Sequence, residues 1–329
     1  MSGSIVSYRA RLARNLRGVP FPARMDDKAR SELIRSVADT VTAVAGGNVF
    51  TYLSLDQNNR GVARALTERH LISPEFSAED APHGVLLSGD STVSVMLCEE
   101  DHLRIQAFGH DLPACLTAAQ DLETLIDETH PLAFDESLGF LTACPTNLGT
   151  GLRASALMHL PALTETQSMR RLIQQAGASG LAVRGLYGEG TQAAWGYYQI
   201  SNAVTLGLTE QEIIGVLREI TVKIDEREAQ ARQAIYGSDP MRFEDRVWRA
   251  AGTLTNARRI STQEAMEHLA TLRTGALLGL LPGVEVKTLD SLEVWPGCLT
   301  EAKGPFKDKF SRDEARAAYL RETLKPLIS

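Results

Sequence analysis

The hydrophobic period changes once along this chain, and that change constrains the architecture more than any other feature. Up to about residue 236, apolar residues recur with period two in some stretches and near 3.6 in others; beyond Gly237-Ser238-Asp239-Pro240 only the helical period persists. Residues 27–45 read as a helix, with Leu33, Ile34, Val37, Val41 and Val44 on one face. From Gly84 to Phe108 the pattern is strand-like. Leu103, Ile105 and Ala107 face one way and His102, Arg104 and Gln106 the other, so one face packs on a core and the other presents an arginine. Leu138 to Ala143 reads as a short strand, and Leu181 to Tyr187 and Trp195 to Ile200 as two more around a Gly-Glu-Gly loop. A capping box, Thr209 to Glu212, opens a helix carrying Ile213, Leu217, Ile220 and Ile224. Helical pattern then runs to about Leu281, and after a Gly/Pro/Lys loop a final helix spans Arg312 to Leu324. No fixed-period repeat is present. The fold class that follows is α+β: a mixed body over 1–236 and a helical C-terminal domain over 237–329.

Charge and cysteine usage narrow the function classes. With 34 Lys and Arg against 41 Asp and Glu in 329 residues, the net charge is −7, so a general nucleic-acid binder is excluded and any anion site must be a local cluster of arginines. Neither a signal-peptide core nor an apolar run of membrane-spanning length is visible. The four cysteines show no zinc or redox spacing. A reducing, cytoplasmic setting is expected.

The chain lacks both G-x-x-x-x-G-K-[ST] and a G-x-G-x-x-G between strand and helix, so phosphates would have to be held without a glycine-rich loop. Arginines are placed to do this. Arg9 and Arg11 lie two apart, Arg104 projects from the polar face of its strand, Arg153 follows a loop, and Arg184 interrupts an apolar strand. An isolated arginine is usually solvated or paired, but a charge amid apolar strand neighbours is costly without a purpose. Converging guanidiniums suit a polyphosphate, since each offers two parallel charge-assisted hydrogen bonds. Glu99-Glu100-Asp101 precedes Arg104, and Glu189 follows Arg184. Such carboxylates are either simply solvated, or bind a metal through water, or orient a cationic acceptor. Cys144 opens the loop Cys-Pro-Thr-Asn-Leu-Gly-Thr-Gly; it is either a small buried hydrophobe or a thiolate favoured by backbone N–H groups.

These pieces, in this order, resemble the catalytic domain of the ATP:guanidino phosphotransferases. Cys144-Pro-Thr-Asn-Leu-Gly-Thr-Gly-Leu-Arg153 is similar to that family's active-site signature, supported by Glu99 to Arg104, Arg184-Gly-x-x-Gly-Glu189, Ile200-Ser-Asn202 and Leu206-Gly207. Ser7 to Asn15 with Pro20-Phe-Pro22, Arg69 to Pro74, and Arg153 to Pro161 resemble the bacterial protein-arginine kinases within it. The resemblance implies an antiparallel sheet flanked by helices, with ATP and Mg²⁺ as cofactors. It implies ATP contacts from Ser7, Tyr8, Arg9, Ala10, Arg11, His70 and Arg104. Further ATP contacts are implied from Arg153, Ala154, Ser155, Ala156 and Leu157, and from Arg184, Gly185, Leu186, Tyr187, Gly188 and Glu189. Glu100 and Glu189 would engage the acceptor guanidinium as catalytic groups, with the Cys144 thiolate beside it and the Tyr187–Thr191 loop closing over the ligand. Arg312, Asp313, Arg316 and Ala317 fit an R-D-x-x-R-A motif that binds phosphoarginine allosterically in that family. The implied activity is transfer of the γ-phosphoryl of ATP to arginine side chains of proteins, and no residues are assigned as a metal site. Implied partners are proteins with exposed arginines, an activator protein and a Clp-type protease in a stress response, with a homodimer through the C-terminal helices. The rival readings are a kinase of free arginine or a related metabolite, and a non-catalytic phosphoarginine-binding adaptor.

Overall fold

A computed structural model of the chain describes residues 3–44, 49–55, 60–185, 193–292 and 309–328. In chain order the elements begin with β1 (Ile5–Arg14), α1 (Asp27–Val44), β2 (Phe50–Ser54), α2 (Arg60–Glu68) and α3 (Pro74–Ser77). There follow β3 (Gly84–Ser88), β4 (Val93–Leu97), β5 (Leu103–Gly109), α4 (Leu112–Asp127), and the two-residue strands β6 (Phe134–Asp135) and β7 (Gly139–Phe140). The body closes with β8 (Leu152–His159), α5 (Pro161–Glu165), α6 (Met169–Ala178), β9 (Leu181–Gly185), β10 (Tyr197–Asn202) and α7 (Glu210–Ser238). The helical part comprises α8 (Pro240–Asn256), α9 (Thr262–Leu277), a helical turn over 286–292, and α10 (Lys309–Ile328).

Eight strands form one sheet in the order β2-β3-β4-β5-β1-β8-β10-β9, and every paired neighbour is antiparallel. Because strand side chains alternate, the register sorts them onto two faces. Ala10 and Leu12 of β1, Ile105 of β5, Ala154 and Ala156 of β8 and Ile200 of β10 share one face and are all buried against α1, α4 and α7. The helices supply matching stripes: Leu33, Ile34, Val37 and Val41 from α1, and Ile213, Leu217 and Ile224 from α7. The opposite face is covered over β3 and β4, where α2, α3 and the segment between them bury Val85, Leu87 and Met96 with Leu66, Leu71, Ile72 and Phe76, and at the far end of β8 and β10, where Tyr197 packs against Ala270 of the C-terminal part. Between these covered ends, the stretch of that face carrying Arg104, Arg9, Arg11, Arg153 and Arg184 is left for function.

Several sequence expectations change in detail. Val44, the last residue of α1, is exposed. Leu138 to Ala143 is not a strand: only Gly139–Phe140 pairs, with Phe134–Asp135, and the segment folds back so that Phe140 N–H and Leu141 N–H reach Gly149 and Ala133 carbonyls at 2.8 and 2.9 Å. β10 begins at Tyr197, because Trp195 takes a left-handed φ of 56°. The polar side of β5 is not solvated throughout: Gln106 is buried under the α2–α3 segment, where its amide donates to Leu71 O at 3.2 Å and Ser94 Oγ at 3.3 Å.

Ser238 ends α7 and Asp239 caps α8 by accepting from Arg242 N–H at 3.1 Å, with Pro240 at the first helical position. The helical part has its own core of Val247, Leu254, Leu269, Leu272, Leu289, Leu320 and neighbours.

Candidate active site

Period two aims all five arginines at the uncovered face. Arg9 stands opposite Phe108 and Ser155, Arg11 opposite Gln106 and Arg153, Arg104 opposite Ala13, and Arg184 opposite Gln199, each pair pointing the same way. Ser7, Ser155 and Leu157 share that face. By the same alternation Tyr8, Ala10, Ala154 and Ala156 turn their side chains into the helix-covered core, where Tyr8 Oη lies 3.3 Å from Thr221 Oγ1. Gly185 ends β9, while Leu186, Tyr187, Gly188 and Glu189 lie outside the described residues.

Like charges facing each other leave a record in the proton affinities. Burial, then Arg153 and Arg104, bring Arg9 down to about 10 from the ordinary guanidinium range. Burial and the charges of Arg104, Arg9 and Arg153 bring Arg11 to about 9, with Glu99 acting the other way. Arg153 is lowered by burial, then by Arg184 and Arg104. Arg11 Nε is buried without a hydrogen-bond partner, and among the described residues no carboxylate pairs with Arg9, Arg11, Arg153 or Arg184. The one polar contact shown for Arg153 is Nη2 to Ser201 Oγ at 3.1 Å. Cations held together without counter-anions form a site whose charge balance is completed by a polyanion. Next to Arg9 a cavity of about 440 Å³ is bounded by His70, Phe108, Leu157 and Gln199. His70 adopts a left-handed φ of 58°, and burial and Arg9 lower its pKa to about 4, so at neutral pH it adds no charge.

The acidic turn divides its labour. Glu99 is largely buried, accepts from Ser73 Oγ at 2.8 Å and pairs closely with Arg104. Glu100 keeps 46% of its side chain exposed and lies 3.9 Å from Arg104 Nη2, so it is the carboxylate open to a ligand. Arg104 therefore fastens the acidic turn to the arginine face as well as adding charge. Asp101 turns inward: its Oδ1 accepts from Asn15 Nδ2 at 2.6 Å and from Ala143 N–H at 2.7 Å. That carboxylate ties β1, the acidic turn and the Cys144 loop together. His102, lowered by burial, accepts from Leu16 N–H at Nδ1 (3.0 Å) and donates from Nε2 to Pro20 O (2.8 Å). Asn15 and Asp101 are site residues that the motif reading missed as such, although both fall inside motifs it used.

Cys144 precedes a 3-10 turn, Pro145–Asn147, and its half-buried Sγ lies 3.0 Å from Thr146 Oγ1. Thr205 Oγ1 donates to Thr146 O and Leu148 O at 2.9 and 2.6 Å, clamping the loop from the far side. Gly149 (φ 95°) and Gly151 (φ 59°) need left-handed backbone, and a Cβ on either would fall within 3 Å of neighbouring atoms. By contrast Cys98 and Cys115 are buried and pushed up to about 11, so neither is a ready thiolate.

Comparison with known proteins decides the family. The family model "ATP:guanido phosphotransferase, C-terminal catalytic domain" matches residues 32–231. The chain belongs to the ATP:guanido phosphotransferase family. A second family model, "Protein-arginine kinase McsB C-terminal domain", matches residues 240–328 of this phosphotransferase. Its sequence is 43% identical to the protein-arginine kinase of Symbiobacterium thermophilum over 328 residues, 97% of this chain and 93% of that one. It is 40% identical to the protein-arginine kinase of Bacillus subtilis, over 98% of this chain and 90% of that one. Among solved structures, the substrate-free duplicated taurocyamine kinase of Schistosoma mansoni matches with TM-score 0.58 and 28% identity, over 69% of this chain and 32% of that one. Lombricine kinase matches with TM-score 0.58 and 27% identity, over 70% and 67%. The phosphoryl donor of the family is ATP.

Among the described residues no group of three or more His, Cys, Asp or Glu side chains could hold a metal ion. Among the described residues no helix is long and apolar enough to cross a membrane. On α10, Asp313, Arg316 and Ala317 are buried: Arg316 Nη1 donates to Ile260 O at 2.8 Å and to Asp313 at 2.7 Å, and only Arg312 of that motif is half-exposed.

Proposed function

We propose that this protein transfers the γ-phosphoryl group of ATP to arginine side chains of other proteins. The observation that carries protein over metabolite as acceptor is the C-terminal part. Residues 240–328 match the C-terminal domain of protein-arginine kinases, whereas the solved metabolite kinases overlap only about 70% of the chain.

The chemistry follows from the residues at hand. Arginine is a poor nucleophile because its guanidinium stays protonated far above neutral pH. A catalyst must fix the guanidinium and take a proton as nitrogen attacks phosphorus. Glu100 accepts hydrogen bonds from the acceptor guanidinium and receives that proton, a contribution on the order of 10²–10⁴-fold for a positioned base. Cys144 lies across Asp101 from the acidic turn and polarises the same group by electrostatics, without forming a phosphoenzyme. Arg9, Arg11, Arg153 and Arg184 neutralise the phosphates and the transferring group, so positioning and charge stabilisation do most of the work. Mg²⁺ supplies further charge neutralisation when it arrives with the nucleotide.

The deciding experiment incubates the protein with Mg-ATP and a generic unfolded protein, then maps acid-labile phosphate by mass spectrometry. Phosphoarginine on the protein, absent with Glu100→Gln, is the expected result. Transfer to free arginine alone would replace this reading with a metabolite kinase, and phosphoarginine binding without any transfer would replace it with an adaptor.

A further inference from the structure

The cavity beside Arg9 is not walled by the sheet alone. Lys287, Asp290 and Ser291 complete it, from the helical turn over 286–292 in the C-terminal part. Positions 287, 290 and 291 share one helix face. The other face, with Leu289 and Leu292, is buried in the C-terminal core. The turn is anchored to the sheet as well. Arg273, fully buried, donates from Nε to Asp290 Oδ1 at 2.6 Å and from Nη2 to Gly3 O at 2.9 Å, just before β1. Gly3 and Ser4 N–H groups in turn donate to Asp225 of α7 at 3.0 and 2.7 Å.

The character of the cavity identifies the part of the ligand it takes. Of the five arginines only Arg9 borders it; Leu71, Phe108 and Leu157 line it together with the neutral His70, the Gln199 amide and, at its margin, Arg69 and Asp90. Phosphates belong over the other arginines, and a space with apolar walls and hydrogen-bonding groups of both kinds, donors and acceptors, suits a nucleoside. Its volume of about 440 Å³ lies in the range usual for small-molecule sites.

We propose that Lys287 and Ser291 contact the nucleoside half of ATP and that Asp290, held by Arg273, positions them. The helical C-terminal part is then a wall of the nucleotide site, and it favours a nucleoside triphosphate over a bare polyphosphate. This rests on the ATP-site reading above, and the test separates the two. ATP and inorganic tripolyphosphate are titrated calorimetrically into the full chain, its Lys287→Ala/Ser291→Ala double variant and Arg9→Ala. Lys287 and Ser291 are exposed, so the double variant keeps the fold. It is expected to weaken ATP ~10-fold, the scale of one or two lost hydrogen bonds, and to leave tripolyphosphate within about twofold. Arg9→Ala is expected to weaken both ligands. Unchanged ATP affinity in the double variant, with Arg9→Ala still weakening both, overturns the C-terminal contact and leaves the ATP site standing. Equal weakening of both ligands by the double variant also overturns it, because a diffuse charge effect would then suffice. No effect of Arg9→Ala on either ligand overturns the ATP site itself.

Discussion

Arg11 sets the arginine face against the stability of the protein that carries it. It stands directly opposite Arg153, its Nε is buried without a partner, and burial with three neighbouring arginines holds its pKa at about 9. Below pH 9 the guanidinium is protonated in both folded and unfolded chains, so its cost to the ligand-free fold is fully present. Above about 9, and up to the ordinary guanidinium range, the unfolded chain binds more protons, and stability should rise with pH. Arg11→Met is therefore expected to stabilise the ligand-free protein by on the order of 1 kcal/mol or more near pH 7.5 and to flatten that rise. The same variant should lose ATP-dependent transfer by about 10²-fold or more. Melting temperatures from pH 7.5 to 10.5 check the first half, and a lower Tm with an unchanged pH profile would contradict it. Asp101 is the converse case, a carboxylate whose work is internal. Asp101→Ala leaves Ala143 N–H and one of the two Asn15 Nδ2 N–H groups without an acceptor, the other still reaching Leu141 O, and releases the Cys144 loop from the acidic turn. It is expected to cost about 2–4 kcal/mol and to lower kcat with little change in KM for ATP. Unaltered kcat would mean that the loop is held elsewhere. The sequence alone placed Asp101 in a run of three acids, where the default is solvent. Its partners are 86 and 42 positions away, and no local pattern encodes them.

Elements were legible where one physical cause dominates. Period two exposed the arginine face of β1 and β5, period 3.6 exposed α1 and α7, and the Thr209–Glu212 box marked the start of α7. Segments shaped by backbone packing were not legible. Residues 138–143 carry strand-like residues but close around Gly149, whose carbonyl lies 2.4 Å from where a Cβ on Gly139 would stand. Arg184, read as an interruption in an apolar strand, is exposed because β9 is the edge of the sheet. Two glycines separate tight packing from mere conformation. Gly149 has φ 95° with Thr205 O 2.6 Å from a would-be Cβ, whereas Gly207 has φ 79° with nothing within 4 Å. Gly207→Ala should cost about 1–2 kcal/mol of left-handed strain and keep its activity. Gly149→Ala must push the loop off Thr205, and is expected to lower kcat by about 10²-fold through misplacement of Cys144. Circular dichroism melts and initial rates on both variants make the comparison, and equal activities would show that the loop tolerates displacement.

At the scale of the molecule, the two main hydrophobic cores are joined by the small cluster of Val6, Tyr197 and Ala270 and by one buried cation beside it. Arg273 projects from α9 to Asp290 and to Gly3 O, so the C-terminal helices, the wall of the nucleotide cavity and the start of β1 converge on one guanidinium. The period change near residue 237 announced two parts, but nothing in it announced this joint. A buried pair broken on one side leaves an uncompensated charge and typically costs about 3–5 kcal/mol. The loss in Arg273→Met falls on the contact between the parts, because that guanidinium bonds Asp290 of the C-terminal part and Gly3 O before β1. The variant is therefore expected to unfold in two calorimetric steps, the C-terminal helices first, where the parent unfolds in one. Adding Asp290→Asn removes the stranded carboxylate and should recover part of the stability. It should not recover ATP affinity, since an amide without Arg273 does not fix the 286–292 turn. A single transition in Arg273→Met with parental ATP affinity would show that the two parts are stabilised and used independently.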